Sequence, residues 1–287
     1  MRFWGLTVSL VAQDHDLFYQ QGRERDPTLI PQALLEIASA SEKPDTSARL
    51  RIGRISQDEW NLIGLYARRT TARLYDKNFQ RHDEPNYPPR IWVWDQVEQT
   101  LLVQVDTQIF SDAEVAVRIF TSLLNPILAK NQVEAIIYPK VSEESFWNVA
   151  SEFSSISDVT FEYSTPNLFG KTKQEMGEFL SMIRNSTNAT SVTTKITNRE
   201  GNLHPKHGGA IARALDWIKD GGGRWSMKGR VTPKERPVVK SSGKQARVFV
   251  LPDDTITLET TGYSASDLTK IISALRSDYS FRRQDLQ

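Results

Sequence analysis

Thirteen Lys and Arg residues lie between positions 195 and 247 of this 287-residue chain, against four acidic ones. That stretch carries a net +9 within a chain whose formal charge is +1. Ten of the thirteen are candidates for holding phosphate groups: Lys195, Arg199, Arg224, Lys228, Arg230, Lys234, Arg236, Lys240, Lys244 and Arg247. Cations at this density neutralise phosphates and release the counterions condensed on a nucleic acid, which is binding chemistry rather than bond-making chemistry. The plain alternative is that Lys and Arg simply solubilise strands and loops. Residues 98–180 reverse the sign, with 5 basic and 12 acidic side chains, while residues 1–97 hold 13 of each. A one-sign segment makes a local field that the whole-chain charge conceals.

Groups that could carry a reaction are sparser. Cysteine is absent, which excludes disulfides, thiolate metal sites and Cys nucleophiles. "HPKH" spaces His204 and His207 by three, but Pro205 stands between them and no acidic ligand lies close in sequence. A solvated loop before a helix accounts for them better than a metal site. "QDHD" places Asp14, His15 and Asp16 after the first strand, as a hard-cation or general-base cluster or equally as a strand-end turn. "SSGKQ" does not complete a phosphate-binding loop, because Val238 stands where the first glycine is required and Gln245 replaces Ser or Thr. No Asp or Glu is followed two residues later by Lys, the spacing of common metal-dependent nucleases, and no G-x-S-x-G elbow occurs. A toxin-like nuclease with an irregular site at His204 and His207, or at Asp14 and Asp16, is the alternative reading.

The basic residues need elements to align them. Ile211, Ala214, Leu215 and Ile218 recur at i, i+3, i+4 and i+7, the buried stripe of a helix over 207–219. Gly221, Gly222 and Gly223 follow that helix. A phosphate-cradling loop would precede a helix and use its positive end, so the triple glycine is expected to be a helix stop. Beyond it, period-two alternation puts Trp225, Met227 and Val231 on one face of a strand and Arg224, Ser226, Lys228 and Arg230 on the other. Residues 190–199 alternate Val192, Thr194 and Ile196 against Thr193, Lys195, Thr197 and Arg199. "QARVFV" alternates Ala246, Val248 and Val250 against Gln245, Arg247 and Phe249. Pairing of these strands in one sheet would gather Lys195, Arg199, Arg224, Lys228, Arg230 and Arg247 on one open face. Like charges facing across strands repel by up to about 1 kcal/mol per pair, which a bound polyanion would relieve. "TPKERPVVKSSGK" adds Lys234, Arg236, Lys240 and Lys244 as a flexible arm within 232–247. Trp225 shares its face with Met227, which assigns it to a core rather than to base stacking.

The rest of the chain reads as alternating strands and helices. A strand covers about 3–12, a Pro-bearing helical segment 31–39, and "ARLRIGRI" is a strand. "RHDEPNYPPR", residues 81–90, holds three prolines and is the best linker candidate. Then "RIWVW" and "TLLVQVD" make a hairpin, and a helix starts with Ser111 as N-cap and Glu114 completing a capping box. "VEAIIYPKV" is a strand, "SEESFWNVASEF" a capped helix and "SDVTFEYSTPN" a strand. "KTKQEMGEFLSMIRNS" is a helix, and a strand at 255–260 and the capped helix "SASDLTKIISALRSDYS" close the chain. The expected fold class is α+β, in two domains that are each a mostly antiparallel sheet with helices packed on one face. Residues 85–170 form a ββαβαβ domain, 171–287 the basic C-terminal domain, and 1–84 a segment packed on the first. No apolar run is long enough to span a bilayer and no cleavage site follows the first strand, so a cytoplasmic protein is expected.

The succession "TSVTTKITNREGNL", "AIARALDWIKDGGGRWSMKGRV" and "SGKQARVFV" resembles the tail of small two-domain phage-exclusion proteins of the lambda RexA type and of related anti-phage families. "YPKVSEESFW" and "TPN" fit the same outline, over about residues 90–275. The resemblance implies an α+β homodimer that binds DNA with little sequence preference and senses phage replication, and it transfers no catalytic residue. The reading at this stage is a sequence-tolerant binder of DNA, or of RNA, in bacterial defence, with no cofactor and no membrane contact. A protein-interaction subunit of a defence complex is the remaining alternative. Its basic patch would meet an acidic partner, even the 98–180 segment of a neighbouring protomer.

Overall fold

The computed structural model describes residues 1–13, 26, 28–41, 50–58, 61–164, 174–187, 189–219, 221–250 and 270–274. The first elements are β1 (Arg2–Ala12), α1 (Leu29–Ser41), β2 (Leu50–Asp58), β3 (Asn61–Arg68), β4 (Thr70–Tyr75), β5 (Arg81–Asn86), β6 (Arg90–Asp95) and β7 (Thr100–Gln104). There follow α2 (Ala113–Leu128), β8 (Val133–Pro139), α3 (Glu143–Glu152), β9 (Ser155–Ser164), α4 (Gln174–Thr187) and β10 (Ser191–Thr197). The last are α5 (Gly209–Lys219), β11 (Gly223–Arg230), β12 (Val238–Ser241) and β13 (Val248–Val250).

Alternating burial along β1 organises the larger of two main sheets. Trp4, Leu6, Val8 and Leu10 join one core and Phe3 joins another on the opposite side. The strand order is β13-β1-β7-β6-β3-β2, with β8 pairing the second half of β1, and every ladder is antiparallel. α1 and α2 cover one face of this sheet. Their buried residues, Leu34 and Ile37 on α1 and Phe120 and Leu124 on α2, meet Trp4, Trp92 and Trp94 from the strands. Each fully buried side chain of this size contributes about 1.5–3 kcal/mol. Asn125 ties α2 to β8 by accepting from the Ala135 N–H (2.8 Å). The opposite face is covered in part by Ile271 and Ile272, which pack with Phe3, Ile63, Leu102 and Phe249.

The smaller sheet has the order β10-β9-β11-β12, again all antiparallel. α3, α4 and α5 cover one face of it. Phe146, Leu180, Leu215 and Ile218 from the helices close over Val159, Phe161, Trp225 and Met227 from β9 and β11. The fold is therefore α+β, with antiparallel sheets and helices layered on them. Trp225 is a core residue, edge-on to Phe146 at 5.3 Å, and of the α5 stripe Ala214, Leu215 and Ile218 are buried while Ile211 is half-buried against the same core.

Several expectations need correction. The boundaries at 84/85 and 170/171 do not separate the sheets: β1, β2 and β3 share a sheet with β6, β7 and β8, and β9 pairs with β10 and β11. The order ββαβαβ holds for 90–164, but its last strand leaves for the second sheet. β13 belongs to the large sheet, not beside β11, because Phe249 occupies the space above Gly5, where a Cβ would collide with its ring. In the proposed linker at 81–90, Arg81–Asn86 is half of a two-stranded ribbon, β4 with β5, and Arg90 already begins β6. The proposed flexible arm is held instead: Val238–Ser241 is the edge strand on β11, and Ser242 Oγ accepts from the Trp225 N–H (3.2 Å). α2 is capped by Asp112, not Ser111, with the Val115 N–H donating to Asp112 Oδ1 (3.0 Å). The Asp14, His15 and Asp16 cluster, the strand at 255–260 and most of the closing helix lie outside the described residues.

Candidate nucleic-acid interface

The triple glycine joins the two sheets. Gly221 ends α5 at φ 85, its N–H donating to the Ile218 carbonyl (2.9 Å), and a Cβ there would overlap Thr7 of β1. The Gly222 carbonyl accepts from the Ser164 N–H (2.8 Å) and from Trp217 Nε1 (2.8 Å). These contacts give the glycines a structural task at the inner end of the small sheet.

From there β11 runs outward with the expected alternation: Trp225 and Met227 are buried, while Arg224, Lys228 and Arg230 are exposed. The open face is not one of a single sign, however. β9 lies between β10 and β11 and places Glu162 opposite Arg224 and Asp158 opposite Lys228. Arg224 binds Glu162 Oε2 through Nε (3.0 Å) and Nη2 (2.8 Å). Lys195 binds Asp158 Oδ1 (3.0 Å), which also accepts from Thr197 Oγ1 (3.0 Å). Hydrogen bonds from Ser157 and Lys195 hold the Asp158 carboxyl below its ordinary value. Tyr138 reaches across from β8 and donates to Glu162 Oε1 (3.0 Å); burial and the neighbouring carboxylate raise its hydroxyl pKa. Ser241 Oγ donates to Glu114 Oε1 (2.9 Å), so acidic groups from α2 and β9 line the junction.

The ten expected phosphate contacts therefore separate into groups. Arg224 and Lys195 are ion-paired on the face. Lys240 points to the helix side, where it pairs with Glu152 and sits 5.5 Å from the Phe153 ring. Arg247 lies over Phe249 at 4.7 Å, and its backbone N–H donates to the Lys140 carbonyl (2.7 Å) at the inter-sheet junction. Lys244 is exposed on a short turn at Ser242–Gln245. The other five converge on the outer end of the small sheet. β9 starts there, β10 and β11 end there, and β12 starts there, as the pairs Arg230↔Ser155 and Gly229↔Val238 show. Arg199 follows β10, Lys228 and Arg230 end β11, and Lys234 and Arg236 lie in the 231–237 connection. All five are exposed, and none forms an ion pair with a described residue. Glu200 and Glu235 are the exposed carboxylates among them.

His204 and His207 do not form a metal site with described residues. His207 stacks on Trp147 of α3 with 3.8 Å between ring centroids, and His204 is exposed. Among the described residues no three His, Asp or Glu side chains converge as ligands would. No described helix is long and apolar enough to cross a membrane. Sequence reasoning missed the acidic strand between the basic ones. Its signal was present as the alternation of Asp158, Thr160 and Glu162 against Val159, Phe161 and Tyr163. No protein-family model matches the chain, and no curated protein matches it.

Proposed function

We propose that this chain binds nucleic acid, with duplex DNA as the principal target, through the outer end of its small sheet. The supporting observation is the gathering of Arg199, Lys228, Arg230, Lys234 and Arg236, exposed and without an ion-pair partner among the described residues. Guanidinium and ammonium groups on a sheet rim meet phosphates, not base edges, so binding is sequence-tolerant and salt-dependent. In the setting that the resemblance to phage-exclusion proteins implies, the contact serves bacterial defence, and the chain works as a homodimer, alone or with a defence-system partner.

The test is fluorescence anisotropy with a duplex of arbitrary sequence, titrated between 50 and 200 mM salt. Five phosphate contacts predict a slope of about −4.5 in log K against log salt. Replacing all five residues by Gln is expected to remove binding at 100 mM salt with the fold retained. Arg224→Gln is the control: its side chain is committed to Glu162, so affinity and slope stay near those of the parent. Unchanged affinity in the fivefold variant would reject the reading.

A second reading, a protein-interaction subunit, is favoured by α4. Phe179, Met182, Ile183 and Ser186 fall at i, i+3, i+4 and i+7 and line a shallow groove on it, with Phe179 and Met182 exposed. A salt-stable complex with another protein, together with no retention on DNA, would select it.

A further inference from the structure

The β4–β5 ribbon continues the β3–β6 hairpin outward. The ladder runs from Leu62↔Trp94 to Tyr66↔Arg90, breaks, and resumes from Thr70↔Asn86 to Tyr75↔Arg81. Six residues per strand carry the tip roughly 20 Å beyond the break. Almost every side chain on the ribbon is exposed.

The tip is a tight turn over Lys77, Asn78 and Phe79. The Phe79 N–H donates to the Asp76 carbonyl (3.0 Å) and the Asp76 N–H to the Gln80 carbonyl (3.0 Å). Asp76 Oδ1 accepts from the N–H groups of Asn78 (2.8 Å) and Gln80 (2.9 Å). Three-residue hairpin loops of this kind place their last residue in the left-handed region, where Gly is the usual choice. Here that residue is Phe79, at φ 61 and 89 % exposed. A bulky side chain is strained in that conformation and gains nothing from burial there. Tyr75 and Leu74, also exposed, make the distal end apolar.

The charge left over on the ribbon is cationic. Asp83 is taken by Arg81 (2.7 Å), and Asp76 is occupied in the turn, with His82 Nε2 at 3.4 Å. Arg69, Arg73 and Lys77 are exposed and pair with no described residue, and Glu84 is the remaining exposed carboxylate. Phe79 is more exposed than Leu74 or Tyr75 and alone of the three stands on the turn itself, an apolar wedge beside cations that matches a stacked duplex. A single strand would call for a platform of several aromatics on which successive bases stack.

We propose that the β4–β5 ribbon lies along duplex DNA and that Phe79 inserts from the minor groove between adjacent base pairs, kinking the helix. This rests on the nucleic-acid reading above but on different residues. Apolar wedges of this type unstack one step and bend the duplex by some 20–90°.

The test uses the full chain and a short duplex carrying donor and acceptor dyes at its ends, with 2-aminopurine at interior steps. The parent is expected to raise transfer between the ends and to brighten 2-aminopurine. Phe79→Asn, which suits the left-handed turn, should keep or raise the melting temperature, abolish both signals and weaken binding about tenfold. Phe79→Leu should retain the bend. If the parent binds the duplex without bending it, or if Phe79→Asn bends it equally, the wedge is overturned while the rim contact stands. A preference for single strands that depends on Phe79 would also overturn it, in favour of stacking. If the folded parent binds no nucleic acid, both proposals fall.

Discussion

Gly221 shows how a single residue links the two sheets. Its φ of 85 is the left-handed conformation that closes α5, and the space where a side chain would begin is filled by Thr7 of β1. Gly221→Ala meets both problems together: an unfavourable backbone state and an overlap with a neighbouring strand. The expected loss is about 2–6 kcal/mol, combining backbone strain of about 1–3 kcal/mol with overpacking of similar size. A urea midpoint measured against the parent checks it, and a change under about 1 kcal/mol would mean that the sheets part without cost. The same scale separates cations of equal sequence appearance. Arg224 is held by two hydrogen bonds to Glu162, while Arg230, six residues on, has no such partner among the described residues.

At the scale of elements, β9 decides the character of the small sheet. It carries Val159, Phe161 and Tyr163 toward the helices and Asp158 and Glu162 toward the basic strands, so it satisfies both neighbours from a central position. The edge strand β10 is mostly exposed and is tied to β9 by its ladder and by Asp158. The folded pKa of Asp158 lies below its ordinary value of 3.8. Its contribution to stability is therefore complete above that value and is lost as pH falls through the lower, folded one. Amide exchange at Thr193–Thr197, once corrected for intrinsic rate, is expected to lose protection as pH drops below about 3.8. In Asp158→Asn that pH dependence should flatten. Protection that is lost equally in both would remove Asp158 from the account. The ribbon β4–β5 is the contrasting element: two strands with no core of their own, which the prolines of 81–90 disguised as a linker.

At the scale of the whole molecule, the chain's two charged segments largely cancel. The net −7 of 98–180 and the net +9 of 195–247 meet within one sheet and its helices, through Arg224 with Glu162, Lys195 with Asp158 and Lys240 with Glu152. Each of these pairs has one exposed and one half-buried member, and at such surface positions a pair is worth about 0–1 kcal/mol and is screened by salt. Folding stability is expected to change by less than about 1 kcal/mol between 0.05 and 0.5 M salt, while affinity for DNA falls by orders of magnitude. Parallel denaturation and binding titrations would show this. Stability that tracked salt as steeply as binding would mean that the rim cations hold the fold rather than a ligand.

Local patterns were sufficient for much of this. The stripe of α5, the alternation of β11, the core placement of Trp225, the helix-stop role of the glycines and the α+β class all follow from nearest-neighbour periodicity. A helix or strand states which of its faces is apolar by its own spacing. The partner of each face is a different matter, because pairing joins residues far apart in the chain. Sequence alone therefore supplied a basic strand, and the tertiary structure supplied the acidic strand beside it. The fold moved the unpaired charge from the flat face of the sheet to its outer end, and it turned a proline-marked linker into a ribbon with an exposed phenylalanine at its tip.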